Sequence, residues 1–170
     1  MRRIITLALM LFAMNSIAQD LNQKFEDPGR NKMVLINRCT RNAIISFPGM
    51  KERYEEQYPV YHPDSSFIRK LQPLISGKNI TVVLGTWCGD SQLQVPHFLK
   101  VLDKLNVPEK NVTFICVDGH KKAAPGLIDR LQITNVPTFI ILEKENELGR
   151  ITEQPQLSIE QDLFNILQKK

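Results

Sequence analysis

"LGTWCGDSQLQVP", residues 84–96, joins the end of an apolar run to the start of an amphipathic one. Upstream, "NITVVLG" (79–85) is β-branched and unbroken, the composition of a strand buried on both faces. Downstream, Val95, Phe98, Leu99, Leu102 and Leu105 recur at helical spacing and make one apolar face. Cys88 therefore falls at or just before the first turn of a helix. Free backbone N–H groups and the positive end of the helix dipole meet it there, and both favour a thiolate over a thiol. Gly89 lets the chain turn without crowding the sulfur, and Trp87 can shield one side of it.

Reading outward, "NVTFICVD" (111–118) is a second buried strand, so strand, helix and strand form a βαβ unit with a right-handed crossover. "APGLIDRLQI" (124–133) reads as a shorter helix with Pro125 near its start. "TFIILE" (138–143) and "GRITE" (149–153), separated by a polar stretch, read as an antiparallel hairpin. Ser158 and Gln161 form a capping box before a last helix whose Ile159, Leu163, Ile166 and Leu167 share a face. On the N-terminal side, Asp64 caps a helix carrying Ile68, Leu71 and Ile75, weakened late by Pro73. The order is β-α-β-α-β-β-α behind a leading helix, an α/β fold with a mixed central sheet flanked by helices. Residues 19–62 form a polar N-terminal extension with candidate strands at 32–37 and 42–47 and a helix-like "MKERYEEQY" at 50–58.

The ends and the composition set further bounds. Arg2 and Arg3, the apolar run 4–13 and the small residues Ser16 and Ala18 have the pattern of a secretory signal peptide over residues 1–18. The run is shorter than the roughly 20 apolar residues that span a bilayer, so no stable membrane insertion is expected once it is removed. Export, most naturally to a periplasm, is the expectation, with domains at 1–18, 19–62 and 63–170. Arg2 and Arg3 are two of the 22 basic residues, which leaves a charge of about +2 against 18 acidic ones after cleavage. No Lys/Arg cluster interleaves with aromatics, which argues against nucleic acid as a partner. Cys39, Cys88 and Cys116 are an odd number, so at least one thiol is unpaired within the chain. His62, His97 and His120 share no ligand spacing with each other or with the cysteines, so no metal is expected.

With these elements in place, "WCGDS" after a buried strand resembles the "WCGPC" active site of thioredoxin-like proteins. Pro96 matches the kinking proline of that family's active-site helix, and "NVPTFIIL" (135–142) resembles its cis-proline loop leading into a strand. "TWCGDS" itself looks like a branch of exported bacterial thioredoxin-like proteins. The resemblance covers residues 63–170 and implies thiol–disulfide exchange on cysteine-bearing proteins or small thiols, with no dissociable cofactor. It makes Cys88 the nucleophile, Pro137 the cis-proline and Val136 the residue that pairs with a bound peptide. Trp87, Gly89, Asp90, Val136, Pro137 and Thr138 would line the groove. "CGDS" also invites comparison with the "CGFS" of monothiol glutaredoxins, but Trp87 and the export pattern argue against an iron–sulfur cluster.

Two departures from the family bear on activity. Ser91 stands where the resolving cysteine would be, as a hydrogen-bond donor to the sulfur. Cys88 can then form a mixed disulfide but cannot release it internally, which suits isomerisation, deglutathionylation or capture of partners. Val82 stands where the family buries an acid six positions before the cysteine, leaving Asp90 as the nearest carboxylate. Cys116 reads as a core residue, while Cys39, between arginines, is a possible resolving partner for Cys88. Two readings stay open: a single-cysteine exchange enzyme, and a non-catalytic peptide-binding or structural domain. Oligomeric state is not legible.

Overall fold

A computed structural model describes residues 21–169; the expected signal peptide lies outside them. Six strands form one sheet in the order β1-β2-β4-β3-β5-β6. They are β1 (Gln23–Asp27), β2 (Lys32–Cys39), β3 (Asn79–Leu84), β4 (Val112–Cys116), β5 (Thr138–Glu143) and β6 (Asn146–Thr152). The helices are α1 (Arg41–Ile45), α2 (Met50–Val60), α3 (Ser65–Ile75), α4 (Gly89–Lys104) and α5 (Ile159–Gln168). Strands β3 and β4 are parallel, as the crossover through α4 requires, and every other pairing is antiparallel.

Alternation along the strands divides the interior in two. Ile80, Val82, Leu84, Phe114, Cys116, Phe139 and Ile141 face the larger core, where the apolar stripes of α3, α4 and α5 converge. Phe98 of α4 stacks on Phe139 of β5 with ring centroids 4.0 Å apart, and both are fully buried. Val83, Ile115 and Val117 face the other way into a smaller cluster that reaches Trp87 and Cys88. Asp64 and Ser158 cap α3 and α5 by accepting from the backbone N–H of Ser66 and Gln161.

Three elements differ from expectation. Residues 42–47 do not form a strand: Thr40 accepts from the Ala43 N–H at 3.2 Å and starts helix α1, which turns Ile44 into the core. The local β propensity of Ile44 and Ile45 yields to that cap and to packing. Residues 124–133 are a run of turns rather than a helix. Pro125 is followed by Gly126 at φ +88°, and the bonds from Leu127 to Ala124 and from Leu131 to Ile128 each close a single turn. Leu127, Ile128, Leu131 and Ile133 still pack onto the smaller cluster. Finally, the segment before β2 carries a strand of its own, β1, paired with β2 from Gln23↔Ile36 to Asp27↔Lys32.

Residues 23–60 are built into the same sheet and core as the later strands and helices. Strand β2 pairs with β4 through Asn37↔Cys116 and Cys39↔Phe114, and Leu35, Ile44, Phe47 and Met50 are buried in the larger core. Arg41 of α1 makes a two-pronged ion pair with Asp103 of α4 at 2.6 and 2.5 Å, and Tyr58 of α2 donates to the same carboxylate at 2.5 Å.

Candidate active site

The site grows from the end of β3. After Leu84 the chain turns through Gly85, Thr86 and Trp87 and enters α4 at Cys88, which occupies the N-cap position. Its φ of −88° and ψ of 126° are those of an N-cap, and its side chain caps nothing, so the sulfur remains available. Gly85 has a steric reason to be glycine. A Cβ there would lie 2.6 Å from the indole ring of Trp87, which folds back over the turn. The indole N–H donates to the Val117 carbonyl at 3.0 Å, fixing the ring against the end of β4. Thr86 is buried; its hydroxyl accepts from the Leu35 N–H at 3.2 Å and its carbonyl from Gln92 at 2.9 Å. The turn is thus held by β2, β4 and α4 together.

Cys88 is half-buried. Its thiol donates to the Val136 carbonyl at 3.2 Å, across 48 residues of sequence. Val136 precedes Pro137 through a cis peptide bond. Thr138 opens β5 and donates its hydroxyl to the Asn135 carbonyl at 2.7 Å, bracing the bend. Cys88, Trp87, Val136, Pro137 and Thr138 therefore belong to one constellation. Gly89 is exposed, and a Cβ added to it would meet nothing within 4 Å, so the approach over it is open. Asp90, on the far side, accepts from the Gln154 amide at 3.3 Å.

Ser91 plays a different part from the one its position suggests. It is fully buried, and its hydroxyl oxygen accepts from the Gly85 N–H at 3.3 Å. The sulfur's hydrogen bond goes to Val136 instead, so Ser91 stabilises the turn that carries the cysteine. Val82 is fully buried in the larger core beside Phe114 and Phe139, so no carboxylate stands at that position beneath the sulfur.

Cys39 is not a resolving partner for Cys88. It is buried in the larger core, where the β2–β4 register puts it diagonally across from Cys116 on the same sheet face, and its thiol donates to the Ile36 carbonyl at 3.8 Å. The neighbouring Cys116 thiol lowers the Cys39 pKa against the upward push of burial. The same neighbour, with burial, pushes Cys116 well up.

One contributor was not foreseen. The turn between β1 and β2 reaches the site, and the Arg30 guanidinium carbon lies 3.7 Å from the centroid of a Trp87 ring. Asp27, at the base of that turn, is buried and accepts from the N–H groups of Gly29 at 3.0 Å and Gly119 at 2.6 Å. Gly119 allows the approach, since a Cβ there would lie 2.6 Å from both Asp27 and Arg30. "DPGR" (27–30) is a recognisable turn, but nothing local to it reveals a contact 57 residues away.

The sequence pattern of a family described as thioredoxin matches residues 48–162. Thioredoxin C-3 of Corynebacterium nephridii is 25% identical over 121 residues, covering 61% of this chain and 79% of that protein. A crystal structure of a Pseudomonas aeruginosa protein of unknown function superposes with a TM-score of 0.56 at 17% identity. That match covers 75% of this chain and 89% of the other and bears on fold alone.

Proposed function

The chain belongs to the thioredoxin family, and from that premise we propose that it is an exported, single-cysteine thiol–disulfide exchange protein. The observation that carries the reading is the half-buried Cys88 sulfur at a helix N-cap, 3.2 Å from the carbonyl before a cis-proline. The ionised sulfur attacks one sulfur of a substrate disulfide. A Cys88–substrate disulfide forms, the substrate S–S bond breaks, and the departing sulfur leaves as a thiolate with the electron pair. Trp87, Gly89, Asp90, Val136, Pro137 and Thr138 line the path for a cysteine-bearing protein or small thiol, and the Val136 backbone pairs with an extended substrate.

Release then falls to a second thiol brought by the substrate or by solution, because Ser91 has no sulfur. A thiolate attacks the mixed disulfide at the substrate sulfur and regenerates Cys88. That cycle suits isomerisation or removal of thiol adducts. Residues 1–18 would direct the chain across a membrane, most naturally into a periplasm, and then be removed.

The decisive measurement is the rate at which Cys88 attacks a small neutral disulfide near pH 7, with the adduct located by peptide mass spectrometry. Reaction well above that of a model thiol, lost in Cys88→Ala, supports exchange. A rate no faster than the model thiol, with no adduct, overturns it and leaves a binding domain. Ser91→Cys is expected to shorten the life of the mixed disulfide without added thiol.

A further inference from the structure

The β1–β2 hairpin walls two recesses, one lined by Trp87 and the other by Arg30, which lies over the indole. The larger, about 550 Å³, is lined by Lys24, Lys32, Met33, Phe47, Thr86 and Trp87 among others. The smaller, about 250 Å³, lies among Asp27, Gly29, Arg30, Gly119 and His120. Arg30, over the indole, is exposed and forms no ion pair among the described residues; the same holds for Lys24 and Lys32. Most nearby acids are otherwise engaged. Asp27 is buried and accepts two backbone N–H groups, and Asp118 accepts from the N–H groups of His120 and Lys122. Asp90 is held by Gln154, while exposed Glu26 shares a hairpin face with Lys24 and Met33. The hairpin side of Trp87 thus carries Arg30, Lys24 and Lys32 against the single carboxylate of Glu26, a positive excess beside apolar surface.

We propose that this hairpin selects anionic disulfides of low molecular weight: small peptide disulfides whose carboxylates engage Arg30, Lys24 and Lys32 while Cys88 attacks the sulfur. The proposal rests on the exchange chemistry of Cys88 given above and names its substrate class. The larger recess, about 550 Å³, has the volume of a small-molecule site. A guanidinium over an indole face, here 3.7 Å from the ring centroid, can still form paired bonds with a carboxylate. The chemistry is a single exchange. The Cys88 thiolate bonds to one sulfur of the anionic disulfide, and the other half leaves as its thiolate. The bound half remains on Cys88 until a second thiol removes it.

The test compares second-order rate constants of Cys88 toward oxidised glutathione, which is anionic, and bis(2-hydroxyethyl) disulfide, which is neutral, in the full chain. The wild type is expected to favour the anionic probe, by less as salt rises from 10 to 500 mM. Arg30→Ala should cut the anionic-to-neutral ratio about threefold, the worth of one solvent-exposed charge pair. Arg30→Glu should invert the preference, Arg30→Lys should restore part of it, and Lys24→Ala with Lys32→Ala should lower it further. Ratios within twofold of wild type in Arg30→Glu overturn the proposal. So does a wild type that prefers disulfides in larger acidic peptides while showing no preference between the two small probes. If neither probe outpaces a model thiol, the exchange reading itself has failed, which is a separate result.

Discussion

Replacing Asp103 with alanine removes the acceptor on which two N-terminal helices converge. The carboxylate takes two bonds from Arg41 and one from Tyr58, all between 2.5 and 2.6 Å. Deleting one partner of a charge-assisted bond costs about 1.5–3 kcal/mol when the site is dry. The side chains of Arg41 and Asp103 are 19% and 34% exposed, so water screens the pair and replaces part of what is lost. About 2–3 kcal/mol for the three bonds together is the resulting expectation, because bonds to one carboxylate are not additive. At roughly 2–4 °C per kcal/mol for a domain of this size, Tm should fall by roughly 4–12 °C in a circular-dichroism melt.

The loss should also carry a pH signature. Burial raises the Asp103 pKa, but the bonds and charge of Arg41 and the Tyr58 hydroxyl outweigh it and hold the carboxyl below its ordinary range. Tyr58 is pushed up to about 12, by burial first and then by Asp103. A depressed carboxyl stabilises the fold above its unfolded pKa of about 3.9 and loses that contribution as pH falls through the folded value. The gap between wild type and Asp103→Ala should therefore be full at neutral pH and close in strong acid. A melt shifted by less than 1 °C at pH 7, or a gap that persists unchanged at pH 2, would refute the reasoning.

Other outcomes rest on named contacts. Phe139→Ala should cost about 3–5 kcal/mol in urea unfolding, since it opens a cavity against the stacked Phe98 ring in a fully buried site. His97 stacks on Tyr61 at 4.2 Å, and burial lowers its pKa, partly opposed by the Glu160 charge. The unfolded chain thus binds the proton more readily, so stability should fall as pH drops below about 6.5. In His97→Gln that segment of the stability–pH curve should flatten; an identical slope would count against it. Peptide mapping without reductant should show Cys39 and Cys116 free, since both are buried and the diagonal placement holds their backbones about 7–8 Å apart. A Cys39–Cys88 link would contradict the register of β2 on β4.

What could be read from the chain alone tracks what is local. "NITVVLG" followed by "TWCGDS" marks its own strand, turn and helix start, and Asp64 and Ser158 announce their helices within one turn. "TFIILE" within "NVPTFIIL" marks its own strand, while the cis-proline bend before it is legible only through the family resemblance. Misreadings arise where two local signals compete. Ile44 and Ile45 suggest a strand, but a Thr40 cap and a core waiting for Ile44 make a helix. Leu127, Ile128 and Leu131 suggest a helical face, but the Pro125–Gly126 step imposes turns and leaves the same residues buried through them. Pairings between distant residues are invisible for a different reason. Neither Arg30 on Trp87 nor Cys39 beside Cys116 has a signal in its own neighbourhood; both depend on where β2 lands in the sheet.

The chain has one tryptophan, and it precedes Cys88 with its ring face under Arg30 and its N–H on a backbone carbonyl. Light emitted by the whole molecule therefore comes chiefly from the spot where an adduct would form. A group joined to Cys88 would enter the cluster that Trp87 shares with it, and a changed indole environment alters the brightness or colour of that emission. The protein thus carries a built-in optical gauge of occupancy at residue 88, readable in real time without a dye.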